Sequence, residues 1–244
     1  MSTRYRLGHG IVIRRQALPS GDVVVTLLAE EGKWRGIARK GKLPGGNVGR
    51  LSLFHDVTVQ YYRRREEDLA LLTQVRLNGA LSRLSDPAVY PFAHILAELA
   101  DALTVDVNIG EPLYHYLASG LRGLNRHPDP ERVALLYAWR LLGQAGLAPR
   151  CSPCGGCGRE LPLDRLDVGT GALLCSECGA GFELGRVAGA ELAGLVEGDM
   201  HAALELPLCD RRTHWLALSR YLSYHVGELR SLADRPRPEA AAGV

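Results

Sequence analysis

The sequence lacks the long apolar runs that a membrane protein needs. Although 46% of its 244 residues are hydrophobic, no uninterrupted apolar run approaches the roughly 20 residues of a membrane span. The stretch from Met1 to Arg6 carries charges but no apolar segment follows it, so we expect no signal peptide and a cytoplasmic location. The length is sufficient for one large domain or two modest ones.

The common sequence signatures of catalysis are also missing. The run from Gly36 to Leu43 nearly matches a phosphate-binding P-loop, but Leu43 stands where the motif needs a hydroxyl and Pro44 prevents the following helix. The eight histidines form no H-x3-H pair, and no Gly-x-Ser-x-Gly elbow occurs. We therefore predict that the chain is not an enzyme. The alternative is a zinc-dependent nucleic-acid enzyme, which would need an open metal position.

Charge is distributed unevenly along the chain, although the net charge is only +2. Residues 1–80 hold 14 Lys and Arg against 7 Asp and Glu, whereas the remainder holds 15 against 20. A basic amino-terminal third favours phosphate contacts in that region. An ordinary solvated surface would give the same pattern, so composition alone leaves both interpretations open.

The first eighty residues have the pattern of β-strands. Short segments rich in β-branched residues alternate with turn residues, and five of them with this spacing fit a closed antiparallel barrel such as the OB-fold. We assign residues 1–80 to this OB-fold domain. The predicted strands are Gly10–Arg15, Val23–Leu28, Lys33–Lys40, Val57–Tyr62 and Leu69–Leu77.

From residue 81 the apolar period becomes helical. Aspartate or glutamate followed by proline opens three predicted helices, because such pairs are typical of helix amino termini. We predict an α+β protein whose all-α domain comprises 81–150 and 183–234, with a zinc module at 151–182 and a disordered tail at 235–244. The predicted helices begin at Asp86, Glu111 and Asp129, and they are followed by helices within Val187–Leu206 and Arg211–Leu232.

Five of the six cysteines fall between residues 151 and 178, which indicates a metal site. Two C-x2-C turns are possible on the amino-terminal side, beginning at Cys151 or at Cys154. Pro153 would remove a backbone donor from the first of these turns, whereas glycines follow Cys154 and Cys157. We therefore predict one structural Zn²⁺ bound by four thiolates, with no open position for substrate. The predicted ligands are Cys154, Cys157, Cys175 and Cys178.

Two cysteines remain outside this predicted ligand set. We interpret Cys151 as a spare thiol near the metal, and Cys209 as a small buried apolar residue.

Basic residues of the predicted barrel are the candidate DNA contacts. In the third strand Lys33, Arg35 and Arg39 share one side, and Trp34 faces the other side, where core packing is favoured over base stacking. Each residue could equally belong to a solvated surface. The candidate DNA-binding residues are Arg14, Arg15, Lys33, Arg35, Arg39, Lys40, Lys42, Arg63, Arg64 and Arg65.

Several blocks, in the same order along the chain, resemble the RecO family of bacterial DNA-repair proteins. The similar segments are Gly10–Arg15, Gly21–Gly41, Leu141–Pro149, Cys154–Gly158, Ala172–Cys178 and Arg220–Val226.

The resemblance implies an OB-fold, a helical domain with a zinc module, and a recombination mediator that hydrolyses no nucleotide. It also implies binding to single- and double-stranded DNA, annealing of complementary strands, and nucleoid association. The implied partners are RecR and, in many species, the single-strand binding protein. Cys151 departs from the usual family pattern, and it could exchange into the metal site.

Overall fold

The computed structural model describes residues 5–39, 47–65, 68–79, 81–104, 110–160 and 162–233. Two candidate DNA contacts, Lys40 and Lys42, and the tail 235–244 lie outside the described residues. Within these ranges, no helix has the length and apolar character required to cross a membrane.

A closed five-stranded barrel forms the amino-terminal part of the fold. Its strands lie in the order β1-β2-β3-β5-β4, and β4 returns to pair with β1. The pairing of β3 with β5 is parallel, and the other four pairings are antiparallel. The OB-like barrel predicted from the sequence is thus confirmed. The strands are β1 Arg6–Ala17, β2 Val23–Ala29, β3 Gly32–Ala38, β4 Asp56–Tyr62 and β5 Ala70–Gly79.

Strand β2 is buried along its whole length because it separates two cores. Val23, Val25 and Leu27 point into the barrel, where they pack in a cluster of their own. Leu28 instead joins Ile11 in the larger core of the helical part. The outer face of the barrel is therefore a packing surface for the helices, and burial on both faces explains the continuous apolar sequence of β2.

Six α-helices follow the barrel in the part of the chain that the structure describes. The third lies in the middle of the helical core, and every residue from Val133 to Trp139 is buried. Neighbouring elements therefore enclose this helix on all sides. The helices are α1 Tyr90–Leu103, α2 Gly110–Arg126, α3 Pro130–Gln144, α4 Arg186–Glu197, α5 Met200–Glu205 and α6 Arg211–His225.

Two helix boundaries differ from the sequence prediction. The N–H groups of Val89 and Tyr90 donate to the Asp86 carbonyl, so a turn containing Pro87 precedes α1 and the helix begins later than expected. At the other end, α6 stops at His225, because Gly227 adopts a positive φ of 121° and reverses the chain.

A small three-stranded sheet carries the cysteine-rich segment. It consists of β6 Arg165–Asp167, β7 Ala172–Leu174 and β8 Phe182–Glu183, in the order β7-β6-β8. Leu166 and Leu173 are fully buried and belong to the main helical core. The sheet is therefore packed against the helices through its own side chains.

Candidate metal centre and nucleic-acid interface

The structure brings together the four cysteines selected from the sequence. The Sγ atoms of Cys154, Cys157, Cys175 and Cys178 all lie within 4.8 Å of one another. Four sulfurs at Zn–S distances of about 2.3 Å would be separated by about 3.8 Å in a tetrahedron, which lies within this limit. The first turn can approach the second closely because Gly156 has no side chain. A Cβ there would lie 2.6 Å from the Cβ of Cys178.

Backbone amides stabilise the thiolate of Cys154. Hydrogen bonds from the Cys157 and Cys175 N–H groups lower the pKa of Cys154 to about 6. The Cys175 N–H lies 3.3 Å from the Cys154 sulfur, which is itself buried. Amide donors directed at sulfur are the usual surroundings of a metal thiolate.

The pKa values of Cys157 and Cys178 show why four thiols at this spacing favour a cation. The Arg159 guanidinium donates to the Cys157 sulfur at 3.4 Å and lowers its pKa. In contrast, hydrogen bonds shared with the thiols of Cys157 and Cys175 raise the pKa of Cys178 to about 12. Four adjacent sulfurs resist complete ionisation through mutual repulsion, and a divalent ion removes that repulsion. The donor set therefore fits a closed, sulfur-ligated metal centre.

Cys151 lies outside the four-sulfur cluster, as expected of a spare thiol, whereas the environment of Cys209 differs from the expected one. Cys151 is buried in the helical core, where its Sγ lies 3.5 Å from the Pro149 carbonyl oxygen and where burial raises its pKa to about 12. It is not part of the four-sulfur cluster, and this packing opposes its expected role as an exchangeable ligand. Cys209 is exposed, so its interpretation as a buried apolar residue was wrong.

Two candidate DNA contacts, Arg14 and Lys33, are ion-paired to helix α1. The Asp101 carboxylate accepts hydrogen bonds from Arg14 Nη2 at 2.5 Å and from Lys33 Nζ at 2.8 Å. Lys33 Nζ also donates to the Asp101 carbonyl oxygen at 2.8 Å. Because only 10% of the Asp101 side chain is exposed, this carboxylate fastens the barrel to the helical part. No sequence pattern indicated this role for Asp101.

Four other arginines among the candidates are exposed on the barrel. Arg35 and Arg39 lie on or just after β3, and Arg64 and Arg65 lie in the connection between β4 and β5. These two regions are adjacent, because β5 begins beside β3 in the pairing of Gly36 with Ala70. The barrel thus presents two neighbouring basic segments to solvent.

Arg63 and Trp34 form a cluster at one end of the barrel. The guanidinium of Arg63 lies 5.9 Å from the ring centroid of Trp34 and 5.4 Å from that of Tyr61. Trp34 packs against the barrel core, as strand alternation predicted, although it is only half-buried. Arg15, the last candidate, is exposed and borders a cleft between the barrel and the helices.

The barrel, the helices and the four-thiol cluster define a two-part, OB-like protein with a candidate metal centre. Comparison with protein families agrees with both parts. The family model "Recombination protein O N terminal" matches residues 2–80, and "Recombination protein O C terminal" matches residues 84–233. The chain belongs to this family, that of the DNA repair protein RecO.

Individual relatives, each matched over more than two thirds of its length, support the assignment. The DNA repair protein RecO of Symbiobacterium thermophilum is 30% identical over 239 residues, which cover 93% of this chain and 87% of that protein. RecO of Streptomyces griseus is 30% identical over 240 residues, covering 91% and 95%. RecO of Streptomyces avermitilis is 33% identical over 183 residues, covering 69% and 72%.

Proposed function

We propose that this chain is a DNA-binding recombination mediator without catalytic activity. It binds single- and double-stranded DNA, anneals complementary strands, and acts with RecR to load the recombinase. Membership of the RecO family across both parts of the chain carries this proposal. The same role places the protein at the nucleoid and makes the single-strand binding protein a further partner.

The exposed basic segments of the barrel supply the electrostatic attraction. Arg35, Arg39, Arg64 and Arg65 project from adjacent parts of the barrel. Two DNA backbones repel each other, and cations between them lower that repulsion while the bases remain free to pair. Arg14 and Lys33 contribute less than the sequence suggested, since both pair with the one Asp101 carboxylate, which leaves them a single net positive charge. Lys40 and Lys42 remain proposed contacts, together with Arg15 and Arg63.

We assign a structural role to one zinc ion bound by the four clustered cysteines. Four thiolates complete a tetrahedron and leave no position for water or substrate, so the ion stabilises the fold of this segment. A zinc-dependent nuclease or deaminase would need an open ligand position, and the described cluster offers four sulfurs instead. The residues 151–182 are thus proposed as a zinc module between the two helical portions, 81–150 and 183–234.

DNA binding is tested by fluorescence anisotropy with labelled single- and double-stranded oligonucleotides over a salt series. Affinity should fall steeply with salt, because binding releases counterions from the DNA. Reversal of Arg35 and Arg39 to glutamate should reduce the salt slope by about 1 for each phosphate that these side chains neutralise. Each arginine is also reversed singly, and the control matched in charge for either single variant is reversal of Arg212 to glutamate, an exposed arginine of α6.

Annealing and catalysis need separate assays. Complementary strands should anneal faster with the protein, and the acceleration should disappear as salt rises. DNA incubated with the protein and Zn²⁺ or Mg²⁺ should remain intact. An absence of DNA binding at low salt would refute the mediator proposal, and metal-dependent cleavage would favour the enzyme.

A further inference from the structure

A cleft between the barrel and the helices has the composition of a nucleotide-binding site. Its volume is about 390 Å³, within the range of roughly 300–1,000 Å³ that is typical of small-ligand clefts. The walls come from β1, from the loop before β4, from the turn before α1, and from the first residue of α1. Its lining includes arginine, histidine, tyrosine and serine residues, and no carboxylate occurs among these described lining residues.

Tyr90 presents an aromatic ring at this cleft. It is 41% exposed, which is high for a large aromatic side chain at the start of a helix. The rings of Tyr90 and Phe54 meet in an edge-to-face arrangement, at a centroid distance of 5.5 Å and an interplanar angle of 61°. One turn later, the ring of His94 lies nearly parallel to Tyr90, at 6.0 Å and 13°. The Tyr90 ring is therefore fixed in orientation while it remains accessible.

The loop that supports Tyr90 holds a strained backbone conformation. Phe54 has a φ of 68°, a region that bulky residues rarely adopt, and its ring is buried. Two hydrogen bonds fix the loop to β1, from the Phe54 N–H to the Val12 carbonyl and from the Val12 N–H to the His55 carbonyl. Strain of this kind concentrates at binding sites, where the surrounding structure maintains it.

A cation for a phosphate and a hydrogen-bond acceptor for a base lie in the same cleft. Arg15 is exposed, and no side-chain partner for it occurs within the described residues. The Nδ1–H of His55 donates to the Arg50 carbonyl oxygen at 2.9 Å, so Nε2 of the neutral ring is an acceptor that suits an N–H of a base and not a phosphate. A cation beside an accessible aromatic ring is the arrangement with which proteins bind unpaired nucleotides.

We infer that this cleft binds one unpaired nucleotide of single-stranded DNA, with the base against Tyr90 and the phosphate at Arg15. A base within a duplex is stacked on both faces and cannot reach the ring, so the site discriminates against double-stranded DNA. This inference rests on the proposed DNA-binding function and extends it to residues that the charge pattern did not indicate. It also gives the protein a way to hold a base while a complementary strand is aligned.

The test compares Tyr90→Leu and Arg15→Gln with the unchanged protein by anisotropy on labelled oligodeoxythymidine. Loss of one stacked base should weaken single-strand binding by roughly 5- to 100-fold, whereas duplex binding should change less than about 2-fold. Tyr90→Trp should retain affinity, because it preserves the aromatic face. Tyr224→Leu is the matched control, since Tyr224 is 66% exposed on α6. Arg212→Gln is the corresponding control for Arg15.

Two further measurements locate the base directly. Oligonucleotides with abasic sites should bind the unchanged protein more weakly, and Tyr90→Leu should abolish that difference. An oligonucleotide with 5-bromodeoxyuridine should photocrosslink to the peptide that contains Tyr90 or His55. If the unchanged protein binds single strands but Tyr90→Leu binds them equally well, the inference is wrong and the proposed function stands. If the unchanged protein binds no DNA at low salt, both are wrong.

Discussion

The Asp101 carboxylate links the barrel to helix α1. Its neutralisation should weaken this link without weakening DNA binding. Asp101→Asn keeps the shape of the side chain but removes the charge that Lys33 and Arg14 contact. The Arg14 side chain is 70% exposed, so water already screens its pair and little stability is lost there. Lys33 is 31% exposed and donates at 2.8 Å, so this charge-assisted bond accounts for most of the effect.

From these contacts we expect Asp101→Asn to lower the free energy of unfolding by about 2 kcal/mol. For a chain of this length that corresponds to a decrease in Tm of roughly 4–8 °C. Urea and thermal denaturation followed by circular dichroism measure the change. Glu205→Gln, an exposed charge at the end of α5, should change Tm little.

A double-mutant cycle and a DNA titration complete this test. In the Asp101→Asn background, Lys33→Gln should destabilise less than in the unchanged protein, because the ion pair has already been removed and only the hydrogen bond to the backbone carbonyl at position 101 is left to lose. Single-strand affinity should rise, with a salt slope steeper by up to about 1.4 if both released cations contact phosphates. If Asp101→Asn left the free energy of unfolding unchanged, or if its effect and that of Lys33→Gln were fully additive, Asp101 would not link the barrel to α1.

Three further predictions concern the metal centre and an ion pair. Elemental analysis of the purified protein should find one zinc per chain, and Cys154→Ser should abolish zinc binding. Full zinc occupancy in that variant would contradict the ligand assignment. Gly156→Ala should weaken zinc retention in a chelator competition, because its Cβ would lie 3.1 Å from the Cys178 sulfur; retention equal to that of the unchanged protein would show that the turn relaxes. Although burial opposes ionisation of Asp129, its hydrogen bond with Arg211 lowers its pKa below the usual value. The stabilisation it provides is therefore present above about pH 4 and disappears as pH falls through the lowered pKa. Asp129→Asn should flatten the acid limb of a stability-against-pH profile, and an unaltered limb would count against this contribution.

Much of the fold followed from local sequence patterns. The five strands were predicted because β-branched residues alternate with turn residues, and all five occur near the expected positions. The start of α3 was predicted equally well, because the Asp129 carboxylate accepts from the Arg132 N–H within a single turn. Local predictions failed where a distant contact or a single glycine changed the outcome, as at the end of α6 near Gly227.

The candidate metal site was predictable from spacing, whereas the DNA-binding surface was only partly so. Cysteines two residues apart are held close by the chain itself, so their sequence positions nearly determine the cluster. Charge counts identified Arg14 and Lys33 as candidates, but counting cannot reveal that both pair with one buried carboxylate. Nor could it reveal Tyr90, since an isolated tyrosine before an apolar helix has the pattern of an ordinary core residue.

The sequence by itself determined which segments form strands and which form helices. It also determined that the barrel precedes the helical part, and which four cysteines cluster. These properties depend on period, spacing and turn chemistry over a few residues. Only the tertiary structure decided which cations remain available for DNA and where an exposed ring borders a cleft. Asp101 lies 68 residues from Lys33 and 87 from Arg14 along the chain, and such pairs become neighbours only when the barrel packs against α1.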